Sequence, residues 1–255
     1  MSAPMERAGL SDPRMQCFVC VECGMPAVEL YRDFKGGVMK ISHCDHCTKV
    51  VDKYVEYDST IVFLDMLLLK TQAYRHVLLN ADSKNHWKFA VLFLLTDAYT
   101  KWTFLRIHGV SMQDKHSDTV LYAALELNFH KALIMSCFEE LIFYMTVYIC
   151  LKILISSLWR DRRLCIPRLN LILGGILLSN FGKLLVIPAT IWGQADNPTY
   201  ILVIRIFLIA SNVQACKVLC RSSRLSAALI ISLSYLAQYA FTVLWCEQFK
   251  QWCAT

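Results

Sequence analysis

SAALIISLSYLAQYAFTVLW, residues 226–245, runs for twenty positions without a charged side chain. A helix rising 1.5 Å per residue needs about twenty apolar residues to cross the ~30 Å hydrocarbon layer of a bilayer. A core helix of a water-soluble domain rarely stays apolar on every face for that length, so the segment predicts a membrane span. Three similar segments precede it. Residues 169–192 carry Lys183 alone, residues 199–218 carry Arg205 with Lys217 at the end, and residues 132–159 carry Glu139, Glu140 and Lys152. Only helices and closed barrels satisfy every backbone polar group in lipid. The four segments together predict an α-helical multi-pass membrane bundle. Residues 87–105, WKFAVLFLLTDAYTKWTFL, hold Lys88, Asp97 and Lys101 and read as a marginal span or an interfacial helix.

Composition agrees. The chain has 255 residues, of which 56% are hydrophobic, and its mean hydropathy is +0.42. Soluble domains are usually about 45–50% apolar. The excess excludes a disordered, low-complexity or collagen-like chain. The net charge of +6 would suit nucleic acid if it formed a surface patch. It does not: residues 1–131 are balanced, and the surplus lies entirely in the more hydrophobic second half. It resolves into two short stretches, residues 160–168 and 217–224, each with a net charge of +3. No nucleic-acid partner is expected.

These basic stretches orient the bundle. By the positive-inside rule both face the cytosol, and the stretch 193–198 with the C-terminal tail faces the lumen. With four crossings alone, the cysteine-rich N-terminal region would also be lumenal. Thiolates are safer in a reducing compartment, and no apolar signal segment opens the chain. An additional crossing at 87–105 resolves the conflict. Five crossings are therefore expected, with the N-terminus cytosolic and the C-terminus lumenal.

Residues 1–16 read as a flexible tail. Residues 17–57 then form the cysteine-rich module. Cys20-Val-Glu-Cys23-Gly24 and Cys44-Asp-His-Cys47 are two CxxC pairs with twenty residues between them. That spacing fits a four-thiolate zinc ribbon, a closed site whose role is structural. Gly24 suits the tight turn after the first pair. Val28–Lys40 is expected to be a hairpin turning at Gly36-Gly37. Cys17 forms a third overlapping pair with Cys20 and can replace a ligand. His43 and His46 are near enough to compete, and free or disulfide-bonded cysteines are the non-metal alternative.

The segments FVCVECG (18–24), ELYRDF (29–34), SHCDHC (42–47), VDKYVEYD (51–58), FLDMLLLK (63–70) and AYRHVLLN (73–80) resemble, in order and spacing, the homology domain of the Arv family, named for ACAT-related proteins required for viability. The match covers about a quarter of the chain; the apolar remainder is similar in layout only. The resemblance implies a multi-pass protein of the endoplasmic reticulum, linked to sterol (cholesterol) export, sphingolipid balance and glycosylphosphatidylinositol (GPI) anchor synthesis. It also implies zinc ligation by Cys20, Cys23, Cys44 and Cys47. Membrane lipids, including sterols and GPI precursors, and GPI transferase subunits are the partners it suggests. A non-enzymatic role in lipid homeostasis is the leading expectation. The alternatives are a scaffold or accessory subunit of the GPI N-acetylglucosaminyl transferase, and a membrane lipid transferase.

The remaining candidates are polar residues near or within apolar stretches. Asp52, Tyr54 and Glu56, with Lys53 and Tyr57, follow the module and either contact a headgroup or partner or pack the ribbon on the next helix. Residues 58–82 are expected to form one interfacial helix, followed by the membrane domain at 83–255. Asp65, Arg75, His76 and Asn80 on that helix are candidate contacts, with Asp65 facing Arg75 or water. Glu139, Glu140, Lys183 and Arg205 are intramembrane polar residues, with Lys183 and Arg205 as charge partners for the glutamates or as a lining for a headgroup. Gly174, Gly175 and Gly182 suit close helix approach or a groove, and Pro188 suits a kink. None of the GxSxG, HExxH, GxGxxG or P-loop patterns occurs in the sequence.

Overall fold

A computed structural model describes residues 18–34, 38–81, 86–109, 118–158, 169–193, 197–220 and 223–253. The N-terminal tail, Cys17, the Gly36-Gly37 turn, residues 160–168, Arg221 and Asp196 lie outside the described residues.

The N-terminal module is built from two small antiparallel pairs. Strand β1 (Phe18–Val19) pairs with β2 (Pro26–Ala27), and β3 (Tyr31–Phe34) pairs with β4 (Val38–Ile41) in the register Tyr31↔Ile41 to Phe34↔Val38. The second pair is the hairpin expected between the cysteine pairs. A bridge from His43 to Val50 closes the second knuckle. Cys20, Leu30, Cys44 and Val51 form a core of their own. Fewer than 40 residues bury little surface, so a covalent or metal staple is the usual support for a unit of this size.

Residues 58–82 do not form a single helix. Helix α1 (Ser59–Leu67) is capped by Asp58, whose side chain accepts from the Thr60 N–H. Leu69 then takes φ 55°, a left-handed conformation that ends the helix. Helix α2 (Thr71–Arg75) restarts the chain and runs into a π-helical turn, His76–Asn80. The apolar side chains of α1 divide: Val62 and Met66 are buried, whereas Ile61, Phe63, Leu64 and Leu68 remain exposed.

Among the described residues, four helices are long and apolar enough to cross a membrane: Asn128–Leu154, Ile172–Ile191, Pro198–Cys220 and Arg224–Trp245. The first lies within α4 (Asp118–Leu158), the third is α7 (Pro198–Cys220) and the fourth lies within α8 (Arg224–Cys253). The second is bent, with α5 (Leu169–Ser179) and α6 (Val186–Ile191) joined by a 3-10 segment, Asn180–Leu185. The bend has a local cause, because the ring of Pro188 opposes an α-helical bond to the Leu184 carbonyl. Helix α3 (His86–Gly109) packs along α4 and along the bent helix, and its Phe93 reaches the shared core. It contains the marginal segment 87–105.

Helices α5 and α7 run antiparallel. Along α5 and α7, Gly175 meets Leu219 and Gly182 meets Phe207. A Cβ on either glycine would lie 2.7 Å and 2.6 Å from those side chains, so Gly175 and Gly182 serve close approach. The end of the bundle formed by the start of α5, the end of α7 and the start of α8 carries the module. Ile172, Ile176, Ala215, Leu219, Ala227 and Ile231 share one core with Val21, Tyr54, Met66, Tyr74 and Leu78. Lys217 and Arg224, and the start of α5 that follows residues 160–168 in the sequence, lie at this same end.

Candidate metal centre and its docking network

Four sulfurs converge at the module. The Sγ atoms of Cys20, Cys23, Cys44 and Cys47 all lie within 4.8 Å of one another. Cys20 and Cys47 are 3.7 Å apart and Cys23 and Cys44 are 3.6 Å apart. A tetrahedral ion with metal–sulfur bonds of about 2.3 Å separates its sulfurs by about 3.8 Å. The donor set is therefore compatible with a metal site. The positions are set by two equivalent knuckles. The Gly24 N–H donates to the Cys20 carbonyl at 2.9 Å, and the Thr48 N–H donates to the Cys44 carbonyl at 2.8 Å. The residue after each pair is left-handed, Gly24 at φ 80° and Thr48 at φ 61°.

The thiols differ electrostatically. Burial pushes Cys20 up to about 12 and also raises Cys23. The backbone N–H of Cys47 leads the effects that pull Cys44 down to about 7. Burial opposes ionisation of the first knuckle, and a bound dication reverses that balance by stabilising thiolates.

Glycine is free of the steric cost of a left-handed conformation, and threonine is not. Replacing Thr48 by Gly is expected to stabilise the module by about 1 kcal/mol, measured as a raised chemical-denaturation midpoint. An unchanged or lower midpoint would show that the Thr48 hydroxyl, which donates to the Cys47 carbonyl at 2.7 Å, outweighs the strain.

The first knuckle is gripped from the membrane side by α2 and the π-helical turn. Arg75 Nη1 donates to the Val21 carbonyl at 2.8 Å and to the Glu22 carbonyl at 2.7 Å. Its guanidinium lies against Gly24, where an added Cβ would come within 3.0 Å of it. Asn80 acts as a strand partner: its Oδ1 accepts from the Val19 N–H, and its Nδ2 donates to the Val19 carbonyl, both at 2.9 Å. The same Nδ2 donates to Asp52 at 2.7 Å. Asp52, fully buried, also accepts from the Tyr54 N–H at 3.0 Å and faces His76 Nδ1 at 2.8 Å. A buried carboxylate is tolerated when its lone pairs are satisfied in this way.

The structure thus brings together six of the seven candidate contact residues. Asp52, Tyr54, Asp65, Arg75, His76 and Asn80 hold the module to the helices below it, while Glu56 stands apart and exposed. Asp65 does not face Arg75. It accepts from Lys70 Nζ at 2.7 Å and from the Tyr54 hydroxyl at 2.8 Å. The break at Leu69 brings Lys70 back over Asp65, and the ammonium holds the Asp65 carboxyl below the usual carboxylate range. Burial raises the Tyr54 phenol.

Within the bundle the glutamates find separate lysines. Glu140 takes Lys183. Glu139 accepts from Lys101 Nζ at 2.7 Å and from the Thr242 hydroxyl at 3.0 Å. Lys101 also binds Asp97 at 2.7 Å and Ser136 at 2.9 Å. Arg205, expected as a charge partner, instead lies on the exposed side of α7. Helix α3 packs against the glutamate face of α4 and supplies the lysine first.

A polar track continues from this cluster toward the module. Asn180 donates to the Tyr144 hydroxyl at 2.8 Å, and Asn212 donates to Asn180 Oδ1 at 2.8 Å and to the Tyr235 hydroxyl at 2.9 Å. The Tyr74 hydroxyl donates to Ser211 Oγ at 2.8 Å, because Ser211 commits its own proton to the Ser179 carbonyl at 2.7 Å. Sequence reasoning missed these partners. One signal was available: the dipeptide Ser-Asn occurs in two apolar spans, at 179–180 and at 211–212.

The Arv1-like family model matches residues 19–216. Protein ARV1 of Mus musculus is 37% identical over 215 residues, covering 83% of this chain and 77% of that protein. Protein ARV1 of Homo sapiens is 36% identical over 202 residues, covering 78% of this chain and 71% of that protein. Protein ARV1 of Candida albicans is 51% identical over 63 residues, covering 24% of this chain and 21% of that protein. No solved structure matches the chain. A family match that begins inside the first knuckle and extends to α7, with the mouse and human relatives aligned over most of their length, means that this chain belongs to the Arv1-like family.

Proposed function

We propose that this chain is a non-enzymatic protein of the endoplasmic-reticulum membrane that serves lipid homeostasis, carrying sterol (cholesterol) out of that membrane and supporting sphingolipid and GPI-anchor lipid metabolism. The observation that carries the reading is membership in the Arv1-like family by a chain with four helices able to cross a membrane. Glu139 and Glu140 each pair with a different lysine, Lys101 and Lys183.

In this reading the four cysteines hold zinc, and the ion is structural. It supplies four metal–thiolate bonds that a small module needs to stay folded. The chain's own residues do the rest: Arg75 and Asn80 fix the first knuckle, and Asp52 ties both to the segment after the second. The module is cytosolic, because it docks at the bundle end from which both basic stretches leave. Helix α3 is the fifth crossing. It begins just after the docked turn His76–Asn80, and at 24 residues it is about 36 Å long. Its Lys101 is paired with Glu139 and Asp97, and pairing lowers the cost of a charge in lipid.

Reconstitution tests the role. Purified protein in liposomes is expected to accelerate vesicle-to-vesicle sterol transfer. Absence of transfer, with co-purification of GPI N-acetylglucosaminyl transferase subunits, would replace the reading with a scaffold role. A covalently altered lipid would replace it with a transferase.

A further inference from the structure

Helix α7 has two unlike faces. Ile204, Ser211, Asn212, Ala215, Cys216 and Leu219 are buried against the bundle, whereas Leu202, Val203, Ile206 and Ile209 are exposed. Arg205 lies on the exposed face among those aliphatic side chains. Of the other intramembrane charges discussed above, Lys101, Lys183, Glu139, Glu140 and Asp97 are paired, whereas Lys152 is exposed near the end of its span, Asn128–Leu154. Among the described residues, Arg205 has no ion-pair or hydrogen-bond partner.

Depth identifies what can reach it. Arg205 is seven residues from Pro198, the first residue of α7, or about 10 Å along the axis at 1.5 Å per residue. The 23-residue helix is about 35 Å long and overhangs a ~30 Å hydrocarbon layer by a few ångström at each end. The Arg205 backbone therefore sits about 8 Å beneath the boundary distant from the module. A long arginine stem can lift its guanidinium to that boundary while covering apolar surface on the way. The exposed Trp192 marks the headgroup level at this end, as interfacial tryptophans do.

We propose that Arg205 is a binding site for the phosphate of a phospholipid in the leaflet distant from the module. Phosphates are the acceptors a snorkelling guanidinium meets first, and the planar fork of arginine binds two phosphate oxygens at once. A partner helix is the less suited occupant. The flanking Leu202, Val203, Ile206 and Ile209 lack the small side chains that let membrane helices approach closely. The proposal requires only that α7 cross a bilayer, and it stands whichever lipid role the protein performs.

The test uses full-length protein reconstituted in palmitoyl-oleoyl phosphatidylcholine vesicles and released for native mass spectrometry. The wild type is expected to retain one more phospholipid than Arg205→Leu, with the lipid-bound fraction falling at least threefold. Arg205→Lys, which keeps charge but loses the fork, is expected to fall between them. Thermal unfolding of both variants should match the wild type, because the Arg205 side chain is exposed and outside the buried core of the bundle. Excess inorganic phosphate in solution should leave retention unchanged. Equal retention by wild type and Arg205→Leu would overturn the proposal. Displacement by inorganic phosphate would also overturn it, in favour of a water-filled anion site. Loss of a co-purifying protein from Arg205→Leu would overturn it in favour of a partner helix.

Discussion

Replacing Cys44 by serine is expected to abolish metal binding and to release the whole docking network, not merely the second knuckle. Under the proposed zinc reading one ion is shared by both knuckles, and structural zinc typically contributes about 10–16 kcal/mol of apparent binding free energy to folding. Without it, the core of Cys20, Leu30, Cys44 and Val51 is too small to order the module. Arg75 then loses the Val21 and Glu22 carbonyls, and Asn80 loses Val19. Metal analysis of Cys44→Ser should fall from about one zinc per chain toward zero. Amide exchange should rise in residues 71–80, which lie outside the module and contain no ligand. Retained metal would show that the four-cysteine assignment is wrong. Lost metal with unchanged protection at 71–80 would show that docking does not depend on the ion.

Replacing Lys183 by methionine is the second large effect. Lys183 and Glu140 form a pair that is mostly buried. Removing one partner from such a pair leaves an uncompensated charge and typically costs about 3–5 kcal/mol. Replacing both with apolar residues is often neutral or stabilising. Lys183→Met should therefore lower the denaturation midpoint sharply, and the double variant Lys183→Met/Glu140→Leu should recover most of the loss. A single variant as stable as the wild type would mean that Glu140 finds another partner or water. A double variant no better than the single would mean that the pair, rather than its imbalance, supports the fold.

The clustering of the four cysteines and the apolar spans were legible in the sequence because each is written as a local pattern. CxxC spacing states the first, and a run of uncharged residues such as 226–245 states the second. The hairpin between the cysteine pairs was legible for the same reason. The break at Leu69 was not, because a leucine carries no turn signal and its left-handed conformation is imposed by packing around it. The docking contacts were also hidden. Arg75 reaches backbone carbonyls 54 and 53 positions away, and a carbonyl leaves no trace in residue type. The partner of Glu139 went to Lys101 because α3 packs along α4, and that neighbour relation is set by the whole bundle. Arg205 and Lys183 look alike in the sequence, as single cations in apolar runs. Only the fold separates the one that is paired inside from the one that faces out.

The central claim is that the metal module sits on the cytosolic end of the bundle, with α3 providing the crossing that puts it there. Insertion of an N-glycosylation acceptor at Gln113, between α3 and α4, tests it most directly. Five crossings place that site in the lumen, so it should be glycosylated, while an acceptor near residue 10 should not be. Glycosylation near residue 10 with none at Gln113 would contradict the account.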